Sequence, residues 1–219
     1  MKYANLNYLG SKLNLDTSLI NIGDYLQSLA ISYIYKKMGL SVDDVLNLSP
    51  EEIINYEAEE YILLPLNWAL FEKKFLDDNN RINLPHKVIP VFLSMTLGCA
   101  FNNSSFNSFN IQYLKNFEPI GCRDEVTSTI LRQHGIKSYV NGCLTSVLPI
   151  RKTNSSQNKI LLIDAPNELY EYIPKDYLTN SEVFNQQYYI NNSIPVEDVK
   201  KSIVDRYQYY SDNAKIIIT

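Results

Sequence analysis

The stretch Gly121–Pro149, GCRDEVTSTILRQHGIKSYVNGCLTSVLP, constrains the fold more than any other part of the chain. It reads as a strand end, a charged turn, a short amphipathic helix, a second strand and a small-residue loop. Asp124 is placed to cap a helix that carries Val126, Ile130 and Leu131. His134 and Gly135 close that helix, and Ile136 to Val140 make the next strand. A strand, a helix and a strand in so little chain form a βαβ unit, and such units build parallel sheets.

The same alternation runs through the rest of the sequence. Lys2 to Tyr8 is a first strand, followed by a polar loop to Asn21. From Asp24 the apolar residues Leu26, Leu29, Ala30, Tyr33 and Ile34 share one helix face. Asp24 is the expected N-cap, Lys36 and Lys37 suit the C-terminal dipole, and Gly39 suits the left-handed cap. Val42 to Leu48 is a strand, and Ser49-Pro50-Glu51-Glu52 starts a helix. Glu60 to Leu64 is a strand stopped by Pro65, and a helix is expected over 68–76. Val88 to Leu97 is the most apolar strand, with Pro90 near its start. Asn110 to Phe117 is a short helix. Further on, Lys159 to Asp164 starts a fresh strand and Pro166 to Tyr170 a short helix. Pro195 to Tyr210 puts Val196, Val199, Ile203, Val204 and Tyr207 on one helix face, and Ala214 to Ile218 is a strand. The expected class is α/β: a Rossmann-like parallel sheet with helices on both faces over 1–150, a polar linker at 151–158, and the start of an incomplete second α/β lobe over 159–219.

Composition narrows the function classes. The 219 residues are 45% hydrophobic, enough for a packed core. A net charge of −4 with interspersed signs gives no basic patch, so no nucleic acid partner is expected. The three cysteines, Cys99, Cys122 and Cys143, form no CxxC pair, and with two histidines they make no metal site. They read as free thiols of a reducing compartment. The first ten residues are too short and polar for a signal peptide, and no apolar run reaches membrane-spanning length. The expectation is a soluble, cytoplasmic protein.

Two motifs carry a family resemblance. Asn21-Ile22-Gly23-Asp24, followed by Gln27, Ser28 and Ala30, resembles the opening of polysaccharide pyruvyl transferases, where an Asn-x-Gly-Asp turn precedes the first helix. Arg123-Asp124, then Thr127, Gly135-Ile136 and Gly142-Cys143-Leu144-Thr145, resembles that family's second motif, in the branch with Gly-Cys-Leu-Thr rather than Asp-Pro. The resemblance follows the whole chain in element order. It implies a two-lobed, GT-B-like fold. It also implies transfer of pyruvate from phosphoenolpyruvate to two hydroxyls of a glycan or lipid-linked sugar acceptor, forming a ketal. Phosphoenolpyruvate is then a co-substrate, and no cofactor or metal is called for. Family members continue with a Ser-Arg-Leu-His-like motif that holds a histidine and an arginine. This sequence ends at Thr219, where that motif is expected, and His86 and His134 do not match it. A partner chain or a missing C-terminal lobe is therefore expected to complete the catalytic set.

The resemblance makes Arg123, Asn21, Gly23, Asp24, Gly142 and Thr145 the candidate substrate-binding residues. Arg123 either faces a phosphate or carboxylate, or pairs with Asp124 or Glu125. Asp124 reads as a helix cap before a catalytic carboxylate. Asp24 reads as a cap first and as an acceptor for a sugar hydroxyl second, and Asn21 as a turn residue or a ligand contact. Cys143 has no basic neighbour in sequence to activate it as a nucleophile. Two other activities remain open: a GT-B-like glycosyltransferase using a nucleotide sugar, and a non-catalytic remnant or assembly protein of a polysaccharide locus. The Tyr-rich second half offers either sugar-stacking faces or an interaction patch.

Overall fold

The computed structural model describes residues 1–9, 19–67, 75–97, 106–149, 159–189 and 194–218. The elements are β1 (Lys2–Leu6), β2 (Leu19–Asn21), α1 (Ile22–Lys37), β3 (Val45–Leu48), α2 (Pro50–Ile54), β4 (Ile62–Leu66), β5 (Val88–Phe92), α3 (Ser108–Lys115), β6 (Ile120–Cys122), α4 (Glu125–Gln133), β7 (Ser138–Val140), β8 (Lys159–Ile163), α5 (Lys175–Thr179), β9 (Ser181–Phe184), β10 (Gln187–Tyr189), α6 (Val196–Asn213) and β11 (Ala214–Ile218). They form two compact units. One is Met1–Gly10 with Leu26–Leu148, and the other is Ser11–Tyr25 with Pro149–Thr219.

In the first unit, four parallel strands run in the order β3-β1-β4-β5. A parallel bridge between Met95 and Cys122 carries the sheet on to the parallel pair β6 and β7. Alternation along the strands sorts side chains to two faces. Tyr3, Val45 and Leu93 meet Ala30, Ile31 and Tyr35 of α1 on one face. Ala4, Leu6, Ile62, Leu64, Leu66 and Phe92 meet Ile53, Leu114 and Leu131 of α2, α3 and α4 on the other. Helices on both faces of a parallel sheet make this the expected α/β class. Each fully buried Leu or Ile in these layers contributes about 1.5–3 kcal/mol.

Local chemistry sets several boundaries. Ser49 and Glu52 form a reciprocal capping box ahead of α2, Glu52 Oε2 accepting the Ser49 N–H at 2.7 Å. Pro65 does not stop β4, which runs through it to Leu66. The Ile62 N–H donates to Lys87 O, so alternate residues of β4 face β5 and the others, Pro65 among them, face β1. The β1–β4 register is Lys2↔Ile62 and Tyr3↔Leu63, so Pro65 lies beyond it and its missing donor breaks no ladder bond. Pro90 sits mid-strand in β5 rather than near its start, and its nitrogen, which has no proton to donate, faces away from β4 by the same alternation.

Two expected apolar faces turn out differently. Val126 is 70% exposed, and α4 instead buries Thr127, Ser128 and Leu131. The two hydroxyls explain this: Thr127 Oγ1 accepts the Leu97 N–H at 3.1 Å, and Ser128 Oγ bonds Ser138 Oγ at 2.9 Å. A polar seam, not an apolar stripe, docks this helix. On α6, Val199 and Ile203 are buried while Val204 is exposed.

The second unit holds a parallel three-stranded sheet in the order β11-β8-β9. Leu161, Ile163 and Ala214 form its core, with Phe184 and Tyr210 packed against them. The expected polar loop before Asn21 contains a strand, because Leu19–Asn21 pairs antiparallel with Gln187–Tyr189. The expected linker at 151–158 and the body of the helix expected over 68–76 lie outside the described residues.

Candidate functional site

All six strands of the first unit's sheet are parallel, so their carboxyl ends share one edge, and five of the six hand over directly to a polar residue. Asn7 follows β1, Ser49 follows β3, Asn67 follows β4, Arg123 follows β6 and Asn141 follows β7, while Ser94 comes one residue later, after Leu93, at the end of β5. The chain leaves β1 for β3 on one side and returns past it to β4 on the other. The switch point is therefore between β1 and β4, where open α/β sheets form their ligand crevice. Asn7 and Asn67 stand there, with Gln27 from α1, and all three are buried. Asn67 Nδ2 donates to Gln27 Oε1 at 2.7 Å, and the Tyr8 hydroxyl donates to Asn67 Oδ1.

At the end of β6 the Arg123 N–H donates to Met95 O at 2.8 Å, which fixes the point from which its exposed side chain departs. The two acids beside it are engaged elsewhere. Asp124 caps α4: its Oδ1 accepts the Thr127 N–H at 2.7 Å, and its Oδ2 accepts the Thr96 hydroxyl at 2.8 Å. Burial opposes the charged form of Asp124, but these bonds and the nearby Arg123 guanidinium outweigh it and hold the carboxyl below its ordinary value. Glu125 takes the Arg132 guanidinium at 3.2 Å. Among the described residues Arg123 has no ion pair, so the pairing alternative with Asp124 or Glu125 is not the one adopted.

The turn after β7 lies across this end of the sheet. The Asn141 N–H donates to Cys122 O at 2.9 Å. Gly142 has φ 75°, and a Cβ there would meet nothing within 4 Å. Leu144–Val147 forms a single 3-10 turn, and Thr145 Oγ1 lies 3.1 Å from Cys143 Sγ. Gly121 is forced by proximity: a Cβ would stand 2.9 Å from Phe92 O and 3.0 Å from the Tyr139 hydroxyl. Cys122 is buried, and burial pushes its thiol up to about 11, so it is no nucleophile.

The other three candidates belong to the second unit. α1 begins at Ile22, so Asn21 and not Asp24 occupies the capping position. Asn21 Oδ1 accepts the Gly23 N–H at 2.8 Å, which is a cap bond. Asp24 sits inside the first turn, where its charge suits the helix dipole. Gly23 is placed so that a Cβ would lie 3.1 Å from Asn21 Oδ1 and 3.5 Å from Gln186 Oε1. The six candidates thus divide three and three: Arg123, Gly142 and Thr145 in the first unit, Asn21, Gly23 and Asp24 in the second. Sequence reasoning named Gln27 in its first motif but not as a site residue, and it missed Asn7, Asn67, Ser94, Thr96 and Asn141. For Asn7, Asn67 and Asn141 the one sequence signal is an Asn directly after an apolar strand run.

A parallel sheet with helices on both faces and a switch point inside it is the arrangement of Rossmann-like α/β proteins. The model of the family described as polysaccharide pyruvyl transferase matches residues 21–218, and the chain belongs to that family. No curated protein and no solved structure matches the chain. No helix among the described residues is long and apolar enough to cross a membrane. Among the described residues no group of three or more His, Cys, Asp or Glu is arranged to hold a metal ion.

Proposed function

We propose that this protein takes part in transferring pyruvate from phosphoenolpyruvate to two hydroxyls of a sugar in surface-polysaccharide biosynthesis. A proton adds to the enol methylene, one sugar hydroxyl adds to the central carbon, inorganic phosphate leaves, and the second hydroxyl closes the ketal. Phosphoenolpyruvate is the co-substrate, and the reaction calls for no resident cofactor. The acceptor is a glycan or lipid-linked sugar, and the reaction in this reading is cytoplasmic.

Arg123 is the observation that carries this reading. It sits at a strand's carboxyl end with its backbone fixed, its side chain exposed and both neighbouring acids engaged. A planar, permanently charged fork matches either the phosphate or the carboxylate of the co-substrate. The carboxamides of Asn7, Gln27 and Asn67 bring uncharged donors and acceptors, the chemistry that suits hydroxyls, to the switch point. Asn21, Gly23 and Asp24 keep the helix-start role in this reading. Neither histidine is assigned the acid step. The His134 ring is stacked on Phe106 with centroids 4.1 Å apart, and His86 stands edge-on to Tyr61 at 6.4 Å.

Titration of the purified chain with phosphoenolpyruvate and with nucleotide sugars, followed by thermal shift, tests the proposal. Protection by phosphoenolpyruvate is expected. Protection by nucleotide sugars alone would replace this reading with glycosyl transfer. A stable chain protected by neither would point to a non-catalytic role in polysaccharide assembly.

A further inference from the structure

Three described non-glycine residues have positive φ: Asn80, Ser94 and Asp164. Asn and Asp adopt this conformation with help from their side chains, and serine does so less readily. Ser94 is also the one of the three that is buried, at 1% exposure with φ 61°. Strain of this kind persists only where the surroundings over-determine it, and it gathers at functional sites.

The N–H and the hydroxyl of Ser94 both reach the turn after β7. Its N–H donates to Asn141 Oδ1 at 3.2 Å, and its Oγ accepts the Leu144 N–H at 3.1 Å. Asn141 in turn donates its N–H to Cys122 O at 2.9 Å. The next residue, Arg123, donates to Met95 O at 2.8 Å, and Met95 follows Ser94. Ser94, Met95, Arg123, Cys122 and Asn141 therefore close a ring of hydrogen bonds and peptide bonds around the end of β6. A relaxed residue at 94 would send the chain elsewhere and open the ring.

We infer that Ser94 and Asn141 form a latch that positions Arg123 and the Gly142–Thr145 turn for the anionic co-substrate. The inference rests on the phosphoenolpyruvate reading above and adds a pair of residues that act through Arg123. Ser94 is a positioning residue, because its N–H and its Oγ are bonded to protein.

Ser94→Gly and Ser94→Ala separate positioning from stability. Both remove the hydroxyl, Gly accepts positive φ freely, and Ala keeps the strain. Three readouts are needed on the whole chain: melting temperature, Kd for phosphoenolpyruvate by calorimetry, and hydrogen exchange of the Leu144 amide. Both variants are expected to weaken phosphoenolpyruvate binding about tenfold, the order of one lost hydrogen bond. Both are expected to exchange Leu144 faster, while Ser94→Gly melts no lower than wild type. Unchanged affinity in both variants, or a loss that merely follows the melting temperature, overturns the latch. A wild-type chain without affinity for phosphoenolpyruvate defeats the functional reading instead. The latch is then judged by Leu144 exchange alone, and unchanged exchange overturns it.

Discussion

Two strand-to-helix junctions in this chain look alike in sequence and are built differently. At β6–α4 the aspartate is the cap: Asp124 holds the Thr127 N–H, and the arginine before it is left exposed. At β2–α1 the asparagine takes that role by holding the Gly23 N–H, and the aspartate falls within the first turn. The glycines differ as well. Gly121 is hemmed in by the Phe92 carbonyl and the Tyr139 ring, whereas the nearest atom to a Cβ at Gly23 is the end of the Asn21 side chain. An acid next to a helix start does not by itself announce its task; the residue that takes the cap decides what its neighbour is left to do.

The largest expected effect separates the two junctions by ligand. Arg123→Ala should abolish protection by phosphoenolpyruvate in a thermal-shift titration while the ligand-free melting temperature stays put. Unchanged protection would remove Arg123 from the site. Next come the glycines. Gly121→Ala should destabilise by about 1–3 kcal/mol, because a backbone carbonyl cannot step aside. Gly23→Ala should change stability little, because the Asn21 side chain can yield and alanine favours a helix by about 1 kcal/mol over glycine. Equal losses in urea unfolding would erase the contrast.

The caps give smaller effects. Asp124→Ala should cost about 1 kcal/mol, as for an ordinary N-cap, and Asp24→Ala about 0.3–1 kcal/mol, as for a first-turn charge. A larger loss at Asp24 would mean the two junctions are not built as described. The smallest effect is in acid. The Asp124 carboxyl titrates lower folded than unfolded, so its contribution is intact above the unfolded value of about 3.8 and fades as pH falls through the folded one. Asp124→Asn should therefore flatten the stability curve below about pH 4 and nowhere else, and an unchanged acid limb would deny the carboxylate its bonds.

Much of this was legible in the sequence, and what was hidden has physical reasons. Alternating strand and helix patterns announced the parallel α/β fold, and Cys-Arg-Asp-Glu-Val-Thr announced the α4 cap, because both signals are local. The short strand Leu19–Asn21 was not legible, because it is defined only by a partner far along the chain. Pro65 looked like a stop because its harmlessness depends on which neighbour its missing donor faces. Val126 looked like core because buried hydroxyls, which docked α4 instead, carry no apolar signal. Arg123 could be picked out by motif. Ser94, Asn67 and Asn141 could not, since their meaning comes from sheet topology.

The pairing of β2 with β10 also bears on how the protein is made. Asn21 meets Gln187, so the strand before α1 leaves the ribosome long before its partner. At ordinary translation speeds that interval is on the order of ten seconds or more. During it the first unit's strands can find one another while the segment ahead of α1 waits. A cut at the polar stretch before β8, the obvious place to divide the gene, would strand β2 on the wrong piece.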